Sequence, residues 1–418
     1  MGLIKRKILP DILIHLSAPE ITLITGARQV GKTTLMHEVK NILDGQNKKT
    51  LYFNLDFESD FYYFESQQKL MQKIELELGE NRGYIFIDEI QRKENAGLFL
   101  KGLFDQSQGY KFIVSGSGSM ELKEKIHESL TGRKRIFELP TITFMEFLHH
   151  KTGYKYEGKI ASFFELEKER IDLILNEYLA FGGYPRIVTE PIKQEKISII
   201  NEIFDSYVKK DIVYLLKVDR PDIFMKLIRL LAHSSGSIVN YSSLATDVGI
   251  SVPTLKKYLW YAENTFIIKT VHPFFKNKRK EITKSPTIYF NDLGLMNFAL
   301  NQFGNEAAIR STGYIFQNLI FLILKEVFSR QNYTVHYWRT TDKAEVDFVI
   351  DTGEQIIPIE VKFSQLKTDR VSRSYRNFIN AYKPEKGYVV NLNYENEIRI
   401  SGTKVKFIPF YKLYTEFF

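Results

Sequence analysis

Residues 21–35 read ITLITGARQVGKTTL, and this stretch decides the fold of the first part of the chain. Its β-branched, apolar start predicts a strand, which leads into Gly26-x-x-x-x-Gly31-Lys32-Thr33 and then into a helical pattern. A strand, a glycine-rich turn and a helix N-terminus in this order make a phosphate-binding loop. Glycines let backbone N–H groups close on phosphate oxygens, and the helix dipole adds positive potential. A plain polar glycine turn is the alternative, but it accounts for neither the strand nor the helix.

The loop therefore predicts a bound nucleoside triphosphate, ATP, with Mg²⁺. Lys32 would reach the β- and γ-phosphates, and the Thr33 hydroxyl would ligate the metal. The residues expected to contact the nucleotide are those of the loop and the first helical turn: Gly26, Arg28, Gln29, Val30, Gly31, Lys32, Thr33 and Thr34.

Length and composition limit the classes of protein to which the chain can belong. A length of 418 residues suggests about three domains. The absence of cysteine excludes disulfides, thiol nucleophiles and thiolate metal sites, and it fits a reducing compartment. A net charge of +8 favours an anionic partner, although solvated lysine-rich surfaces give the same value. Because no targeting segment is visible and the most apolar window, 314–328, is too short to span a bilayer, we expect a cytoplasmic protein without a membrane partner.

A second strand delivers two carboxylates to the same region. Residues 84–89 read YIFIDE, and the ligands of open α/β sheets collect at the C-terminal ends of the strands. Asp88 would hold the Mg²⁺ shell, and Glu89 would orient and deprotonate the attacking water. A strand that ends in a solvated acidic turn is the alternative.

Two later segments complete the predicted ATPase site. Residues 111–119, KFIVSGSGS, predict a strand that ends in a polar loop, where the Ser115 hydroxyl would sense the γ-phosphate or the water. Residues 130–135, LTGRKR, precede another strand. Arg133 or Arg135 would neutralise transition-state charge, in cis or in a neighbouring subunit of a homo-oligomer. A basic surface turn is the alternative, because no spacing rule fixes such an arginine.

Together, GARQVGKTTL, YIFIDE, SGSGS, LTGRKRIFELP and the later GGYP of residues 182–185 resemble a prokaryotic family of AAA+-type ATPases. Its members carry a C-terminal domain long of unknown function, and the resemblance covers essentially the whole chain. It implies ATP hydrolysis by an AAA+ core followed by a helical lid. In related ATPases a Gly-x-Pro element of the lid approaches the nucleotide base, so the resemblance implies that Pro185 contacts the base. A helix-breaking turn would have the same sequence.

Residues 241–265, YSSLATDVGISVPTLKKYLWYAENT, predict a helix-turn-helix. Ser242 or Ser243 would cap the first helix and Ser251 the second. A following strand from Phe266 and the basic run 276–280 would form a wing. Such a unit would place its second helix in the DNA major groove and the lysines of the wing on phosphates. Protein docking and a purely structural role are the alternatives.

From about residue 306 the order of predicted elements is α-β-β-β-α-β, that of a restriction-endonuclease-like core. Glu345-Val-Asp347 lies on one strand and Glu360-Val-Lys362 on the next. A tight reversal near Gly353 predicts that residues whose numbers sum to about 705 oppose each other. Alternation then puts all four side chains on one face, with Glu345 opposite Glu360.

This cluster resembles the PD-(D/E)xK signature without its leading proline. Asp347 and Glu360 would hold a second divalent cation, and Lys362 would stabilise the hydroxide or the phosphorane. A solvent-facing hairpin with cross-strand Glu–Lys pairs is the alternative. Nucleases of this fold often place an acid on the first helix, where this chain has Gln317. A neutral amide weakens the metal site, so the sequence leaves cleavage undecided.

The sequence thus predicts an α/β multidomain chain. Its parts would be a P-loop AAA+ core with a parallel sheet at 1–155, a helical lid at 156–232, a winged helix-turn-helix at 233–300 and a nuclease-like domain at 301–418. Two functions remain open. One is an ATP-hydrolysing enzyme that binds DNA and cleaves it. The other is an ATP-dependent switch or assembly module whose last domain is a DNA- or protein-binding scaffold.

Overall fold

The structure is a computed structural model, and it describes seven segments of the chain: 3–79, 82–106, 109–117, 130–206, 220–275, 284–310 and 313–417. The chain divides into two compact units, each assembled from several stretches of sequence. The first comprises Met1–Ile142, Tyr184–Pro221 and Leu259–Ile267; the second comprises Thr143–Gly183, Asp222–Tyr258 and Ile268–Phe418. The boundaries of the four predicted domains stay a prediction.

The first unit is built on a five-stranded parallel sheet in the order β2-β3-β4-β1-β5. Its strands are β1 (Ile21–Gly26), β2 (Thr50–Asn54), β3 (Gly83–Asp88), β4 (Tyr110–Ser117) and β5 (Lys134–Glu138). Every residue of β1 is buried, as expected for a central strand of a parallel sheet. Because all five strands run the same way, their C-terminal ends meet at one edge.

Helices connect and cover these strands. The predicted helix after the glycine loop is present and runs over Lys32–Gly45. The other helices of this unit are Leu9–His15, Glu58–Phe61, Gln67–Leu78, Ala96–Gln106, Pro185–Thr189 and Lys193–Ser206, with 3₁₀ turns at Tyr62–Glu65 and Ile90–Arg92. Side chains of the sheet and helices form one apolar core that includes Leu23, Phe53, Leu70, Ile85, Leu100 and Phe112.

The second unit contains a six-stranded sheet in the order β12-β13-β11-β10-β9-β8. Its strands are β8 (Thr334–Arg339), β9 (Glu345–Asp351), β10 (Ile356–Val361), β11 (Lys386–Asn391), β12 (Asn396–Ile400) and β13 (Thr403–Pro409). Strands β8, β9 and β10 form an antiparallel meander, and the helix Arg373–Tyr382 then crosses to β11, which is parallel to β10. Tyr375 and Phe378 of this helix are buried in the core of the sheet.

The register of β9 and β10 corrects one prediction. Ile359 pairs with Phe348 and Ile357 with Ile350, so paired numbers sum to 707 rather than 705. The reversal is a turn closed by Thr352 N–H donating to the Gln355 carbonyl at 3.0 Å, and its centre lies one residue later than expected. The observed pairing is shifted by two residues from the predicted one. Because side chains alternate between the two faces of a strand, a shift by two leaves each side chain on its predicted face.

Two helices and a small sheet occupy the predicted helix-turn-helix region. The helices are Tyr241–Val248 and Val252–Asn264, and the sheet pairs β6 (Ile268–Val271) antiparallel with β7 (Thr287–Phe290). Strand β6 begins after Phe266 because that residue has a φ of 65°, which an extended strand excludes. The predicted basic run 276–280 lies outside the described residues.

The caps of these helices differ in part from the prediction. Asn240, not Ser242 or Ser243, caps the first helix, and its side-chain oxygen accepts from Ser243 N–H at 3.1 Å. The Ser251 hydroxyl accepts from Thr254 N–H at 3.3 Å, as predicted. Lys256 and Lys257 of the second helix are exposed.

The remaining described helices are Phe144–Lys151, Ile160–Leu166, Lys168–Phe181, Pro221–His233, Leu293–Ala299, Glu306–Arg310, Gly313–Val327 and Leu413–Glu416. Further 3₁₀ turns lie at Glu157–Lys159 and Phe410–Lys412. Within the seven described segments, no helix combines the length and apolarity needed to cross a membrane.

Candidate nucleotide and metal sites

The loop between β1 and its helix needs its two glycines. Gly31 has a φ of 95°, which is left-handed backbone that a side chain would strain. A Cβ on Gly26 would collide with the carbonyl oxygen of Leu139. Glycine at both positions lets the loop wrap tightly at the C-terminal edge of the sheet, where ligands of such sheets bind.

Lys32 is buried beneath this loop. Its ammonium donates to the carbonyl oxygens of Gly26 at 3.1 Å and Ala27 at 2.8 Å. Phosphate oxygens held by the loop would find the positive charge already in position. Of the other predicted contacts, Val30 is buried, Arg28 is half-buried, and Thr34 is exposed in the first helical turn.

Asp88 is the centre of the predicted metal site. Its Oδ2 accepts from the Thr33 hydroxyl at 2.7 Å and the Tyr52 hydroxyl at 2.9 Å. Its Oδ1 accepts from the Ser115 hydroxyl and from Glu89 N–H. These four donors use all the acceptor positions of one carboxylate. The residues therefore fit a Mg²⁺ that the Thr33 hydroxyl would ligate and that Asp88 would reach through that hydroxyl.

Glu89 follows Asp88 in a strained conformation. Its φ of 57° is left-handed, which costs a non-glycine residue about 1–2 kcal/mol and is typical of functional positions. Burial raises the pKa of the Glu89 carboxyl, while Lys32 acts in the opposite direction. The amide of Gln91 donates to Glu89 Oε2. A carboxyl with a raised pKa suits a general base that activates water.

Tyr52 belongs to this cluster, and sequence reasoning missed it. Its ring stacks on His37, with 4.5 Å between the ring centroids. Burial and the neighbouring Asp88 carboxylate raise the pKa of Tyr52, so its hydroxyl remains a neutral donor. The residue lies in β2, and only the pairing of β2 with β3 brings it to Asp88. The sequence offered no signal for that pairing.

Arg6 is a second residue that sequence reasoning missed. Its guanidinium is buried and donates to the carbonyl oxygen of Val30 at 3.0 Å and to that of Pro140 at 2.6 Å. It thereby ties the phosphate loop to the segment after β5. A basic N-terminal residue gave no sequence signal for this role.

Pro185 and Arg186 also lie beside the loop. The ring of Pro185 comes within 4.0 Å of the position that a Cβ on Gly31 would take. Arg186 donates to the side-chain oxygen of Gln29 at 3.3 Å and pairs with Glu202 at 2.9 Å. This position fits a lid element near the nucleotide. The contact of Pro185 with the base remains a prediction.

Arg133 and Arg135 lie near the N-terminal ends of the parallel strands, whereas the phosphate loop lies at their C-terminal ends. This corrects the prediction that either arginine acts within a single chain. Lys134 pairs with Ile21, at the start of β1, whereas the phosphate loop follows Gly26. The five residues of β1 between these two ends separate them by about 16 Å. Arg133 instead pairs with Asp105 at 2.8 Å. The role in cis is therefore wrong, and the role in a neighbouring subunit stays a prediction.

The second acidic site lies in the second unit. Asp347 Oδ1 accepts from the Gln317 amide at 3.0 Å, and Oδ2 accepts from Val361 N–H at 2.7 Å. Glu360 is buried and pairs with Lys362 at 2.8 Å. The structure thus brings together Asp347, Glu360 and Lys362, and it adds a hydrogen bond from the Gln317 amide to Asp347.

The electrostatics of this site favour a cation. The pKa of Asp347 is raised to about 7, chiefly by burial and with a contribution from the Glu360 carboxylate, against the opposing effects of Val361 N–H and Lys362. Glu345 is set apart, because its carboxylate pairs with Arg339 at 3.1 Å. Two carboxylates of which one resists ionisation fit a Mg²⁺ that keeps several of its waters. The described residues contain no group of three or more His, Asp or Glu side chains that would form a full protein cage for a metal.

Family models match three consecutive parts of the chain. Residues 18–148 match a model described as an AAA domain. Residues 173–306 match a domain of unknown function (DUF8612), and residues 312–413 match another domain of unknown function (DUF4143).

The chain is also similar to whole proteins. An uncharacterized protein of Haemophilus influenzae is 26% identical over 93% of this chain and 93% of its own length. An uncharacterized protein of Methanocaldococcus jannaschii is 25% identical over 96% of this chain and 90% of its own length. Among solved structures, Cdc6p from Pyrobaculum aerophilum overlaps with a TM-score of 0.28 and 11% identity, over 73% of this chain and 97% of that one.

The matched AAA model covers the five parallel strands, the glycine loop, Lys32, Asp88 and Glu89. The chain therefore contains an α/β P-loop ATPase domain of the AAA type, which binds ATP.

Proposed function

We propose that ATP binding and hydrolysis in the AAA domain control a DNA-binding, nuclease-like second half of the chain. The single observation that carries the proposal is the cluster formed by Asp347 and the buried Glu360 on two paired strands and by Lys362 directly after the second strand. Two neighbouring carboxylates in an apolar sheet are costly to bury unless they serve a cation, and the adjacent Lys362 ammonium would suit a phosphate. The helix, antiparallel meander, crossover helix and parallel strand around the cluster support a PD-(D/E)xK-type fold.

The proposed ATPase roles are supported by the contacts of the first site. Lys32 would neutralise the β- and γ-phosphates, and the Thr33 hydroxyl would ligate Mg²⁺ while donating to Asp88. Glu89 would take the proton of the attacking water, and Ser115 would link Asp88 to the γ-phosphate side of the site. Arg186, anchored to Gln29, would add positive charge beside the loop.

A winged helix-turn-helix is proposed for residues 233–300. The two capped helices, the β6–β7 pair and the bridge of Ile238 to Thr287 have the order of such a module. Exposed Lys256 and Lys257 on the second helix support a contact with DNA phosphates.

In the cleavage reaction, Asp347 and Glu360 would hold Mg²⁺, which lowers the pKa of a bound water. Lys362 would stabilise negative charge on the phosphorane, and its pairing with Glu360 keeps the ammonium within reach. Gln317 would orient Asp347 through the amide that donates to Oδ1.

The test is cleavage of labelled duplex, branched and single-stranded DNA by the full chain, with ATP, ADP, Mg²⁺ and Mn²⁺ varied independently. We expect metal-dependent cleavage that Glu360→Ala and Lys362→Ala each reduce at least 100-fold, the scale typical of removing a catalytic group. Lys404→Ala is the matched control, because Lys404 forms a 2.8 Å pair with Glu397 in the same sheet away from the cluster. Absence of cleavage on every DNA form, or Lys362→Ala that cuts like the parent, would overturn the nuclease proposal.

One observation favours a second function. Gln317 supplies a neutral amide hydrogen bonded to Asp347 in a position where an acid would add a metal ligand. A weakened metal site suits an ATP-dependent switch or assembly module whose last domain grips DNA or protein without cutting. Under this function, ATP and ADP would change the affinity for DNA or the assembly state while no DNA form is cleaved. Robust cutting abolished by Glu360→Ala would contradict it.

A further inference from the structure

A run of unpaired positive charge adjoins the acidic cluster of the second unit. Between residues 363 and 383 the chain has five basic residues and one acidic residue, a net charge of +4, whereas all 418 residues together carry +8. We define the basic strip as Lys367, Arg370, Arg373 and Arg376.

The strip begins at the acidic cluster. Ser372 caps the helix Arg373–Tyr382, and its backbone N–H donates to Glu360 Oε2 at 3.4 Å. Arg370 and Arg373 flank that residue in sequence, and Arg376 follows one helical turn later. Tyr375 and Phe378 of the same helix are buried, whereas Arg373 and Arg376 are exposed. The arginines therefore line the surface that leads away from Glu360.

The charges of the strip are not neutralised by the protein. None of its four side chains makes an ion pair with another residue in the parts of the chain that the structure describes. Other lysines of the same sheet do pair: Lys362 with Glu360, Lys404 with Glu397 and Lys406 with Glu416. Four exposed cations within ten residues of chain, offset only by Asp369, leave a net positive charge that favours an anionic partner.

The chemistry of the strip points to a phosphate backbone. Three of the four residues are arginines, whose planar guanidinium binds phosphate through two parallel hydrogen bonds. A membrane surface or an apolar protein partner would also need exposed apolar side chains. Within 313–417, the described residues include no exposed large apolar side chain.

We propose that the basic strip binds the phosphate backbone of a nucleic acid and holds it across Asp347 and Glu360. This inference rests on the proposed function of that site, and it adds the residues that fix the strand there. Arg370, Arg373 and Arg376 contact successive phosphates beside the one that faces the cluster. Such contacts carry no sequence information, so the site takes a nucleic acid of any sequence.

The test is a salt titration of binding with the full chain, a fluorescent duplex of 30 base pairs (about three helical turns) and EDTA to prevent cleavage. The strip variant is Arg373→Gln with Arg376→Gln, and the matched control is Arg399→Gln with Lys404→Gln, which removes the same charge from the far edge of the sheet. Melting temperatures of both variants verify folding. We expect the strip variant to bind at least tenfold more weakly at low salt, and the slope of log K against log [salt] to fall by about 1.8. The control should keep the parental slope.

The outcomes separate this inference from the proposed function. If the strip variant binds DNA with the parental affinity and an unchanged salt slope, the proposed role of the basic strip is overturned, while the nuclease proposal stays intact. An equal loss of DNA affinity in the control variant would mean that only the net charge of the protein matters, and it would also overturn the proposed role of the strip. If the parent binds neither duplex nor single strand, both proposals fail. Binding to vesicles containing phosphatidylserine, lost in the strip variant, would replace the nucleic acid by a membrane surface and overturn the inference.

Discussion

The two acidic sites of the molecule are built in opposite ways. Asp88 lies at the end of a parallel strand and accepts four hydrogen bonds. Asp347 lies within an antiparallel pair and accepts hydrogen bonds from Gln317 and Val361, and burial raises its pKa to about 7. A carboxylate surrounded by donors is held as an anion in a fixed orientation. One with few donors and an acidic neighbour gains most from a cation.

The largest expected effect tests the first of these sites. Lys32→Ala should abolish ATP binding, because the loop loses its only buried ammonium among the described residues, whereas Glu89→Gln should bind ATP but hydrolyse it about 100–10,000-fold more slowly. Equilibrium binding of a fluorescent ATP analogue and phosphate release measure the two steps. Lys40→Ala, which removes a half-buried lysine paired with Asp44 on the same helix, should behave like the parent. If both Lys32→Ala and Glu89→Gln hydrolyse ATP at the parental rate, the roles assigned to these two residues are wrong.

The next prediction tests the second site through its proton. A metal must displace the proton of Asp347, so Mn²⁺ affinity without nucleotide should weaken about tenfold for each pH unit below 7. Isothermal titration calorimetry between pH 5.5 and 8 measures this dependence. Asp347→Asn should bind weakly at every pH in that range. A flat profile in the parent would mean that Asp347 does not ligate the metal.

A smaller effect is expected at Tyr52. Tyr52→Phe keeps the ring stacked on His37 but removes one charged hydrogen bond to Asp88, which contributes about 1.5–3 kcal/mol. We expect the half-saturating Mg²⁺ concentration for ATP hydrolysis to rise several-fold, with a similar rate at saturating Mg²⁺. Tyr63→Phe is the control, because Tyr63 packs on Phe53 away from Asp88. An unchanged Mg²⁺ requirement would show that Asp88 is oriented without Tyr52.

The smallest effect concerns a histidine at the opposite edge of the same sheet. Burial, followed by Lys111 and Arg135, lowers the pKa of His15 to about 4. The stabilisation that neutral His15 provides is fully present above about pH 6.5. It is lost as the pH falls towards 4, because the unfolded chain binds the proton more readily than the folded chain. At pH 5 the free energy of unfolding should be about 1–2 kcal/mol lower than at pH 7 from this residue. Urea titrations of the parent and of His15→Gln would measure it; an equal pH dependence in both would contradict the assignment.

The parts that the sequence predicted are those that depend on neighbours along the chain. The strand, glycine turn and helix of the phosphate loop follow from residues 21–35, and the two acids of β3 follow from one apolar run. Strand alternation gave the common face of Asp347, Glu360 and Lys362, and it survived an error in the register because the error was even. The N-cap at Asn240 was missed because Asn240, Ser242 and Ser243 all offer a side-chain oxygen as acceptor near the start of the helix.

What the sequence by itself determined is the local chemistry: a loop that cradles phosphate, the acids at strand ends and a lysine two residues from Glu360. Only the tertiary structure decided which distant residues meet them. The sheet order put Tyr52 beside Asp88, sent Arg133 to the edge away from the loop and brought Arg6 onto Val30. The physical reason is that periodicity and turn residues act over a few positions, whereas strand order is set by burial summed over the whole sheet, which no short stretch encodes.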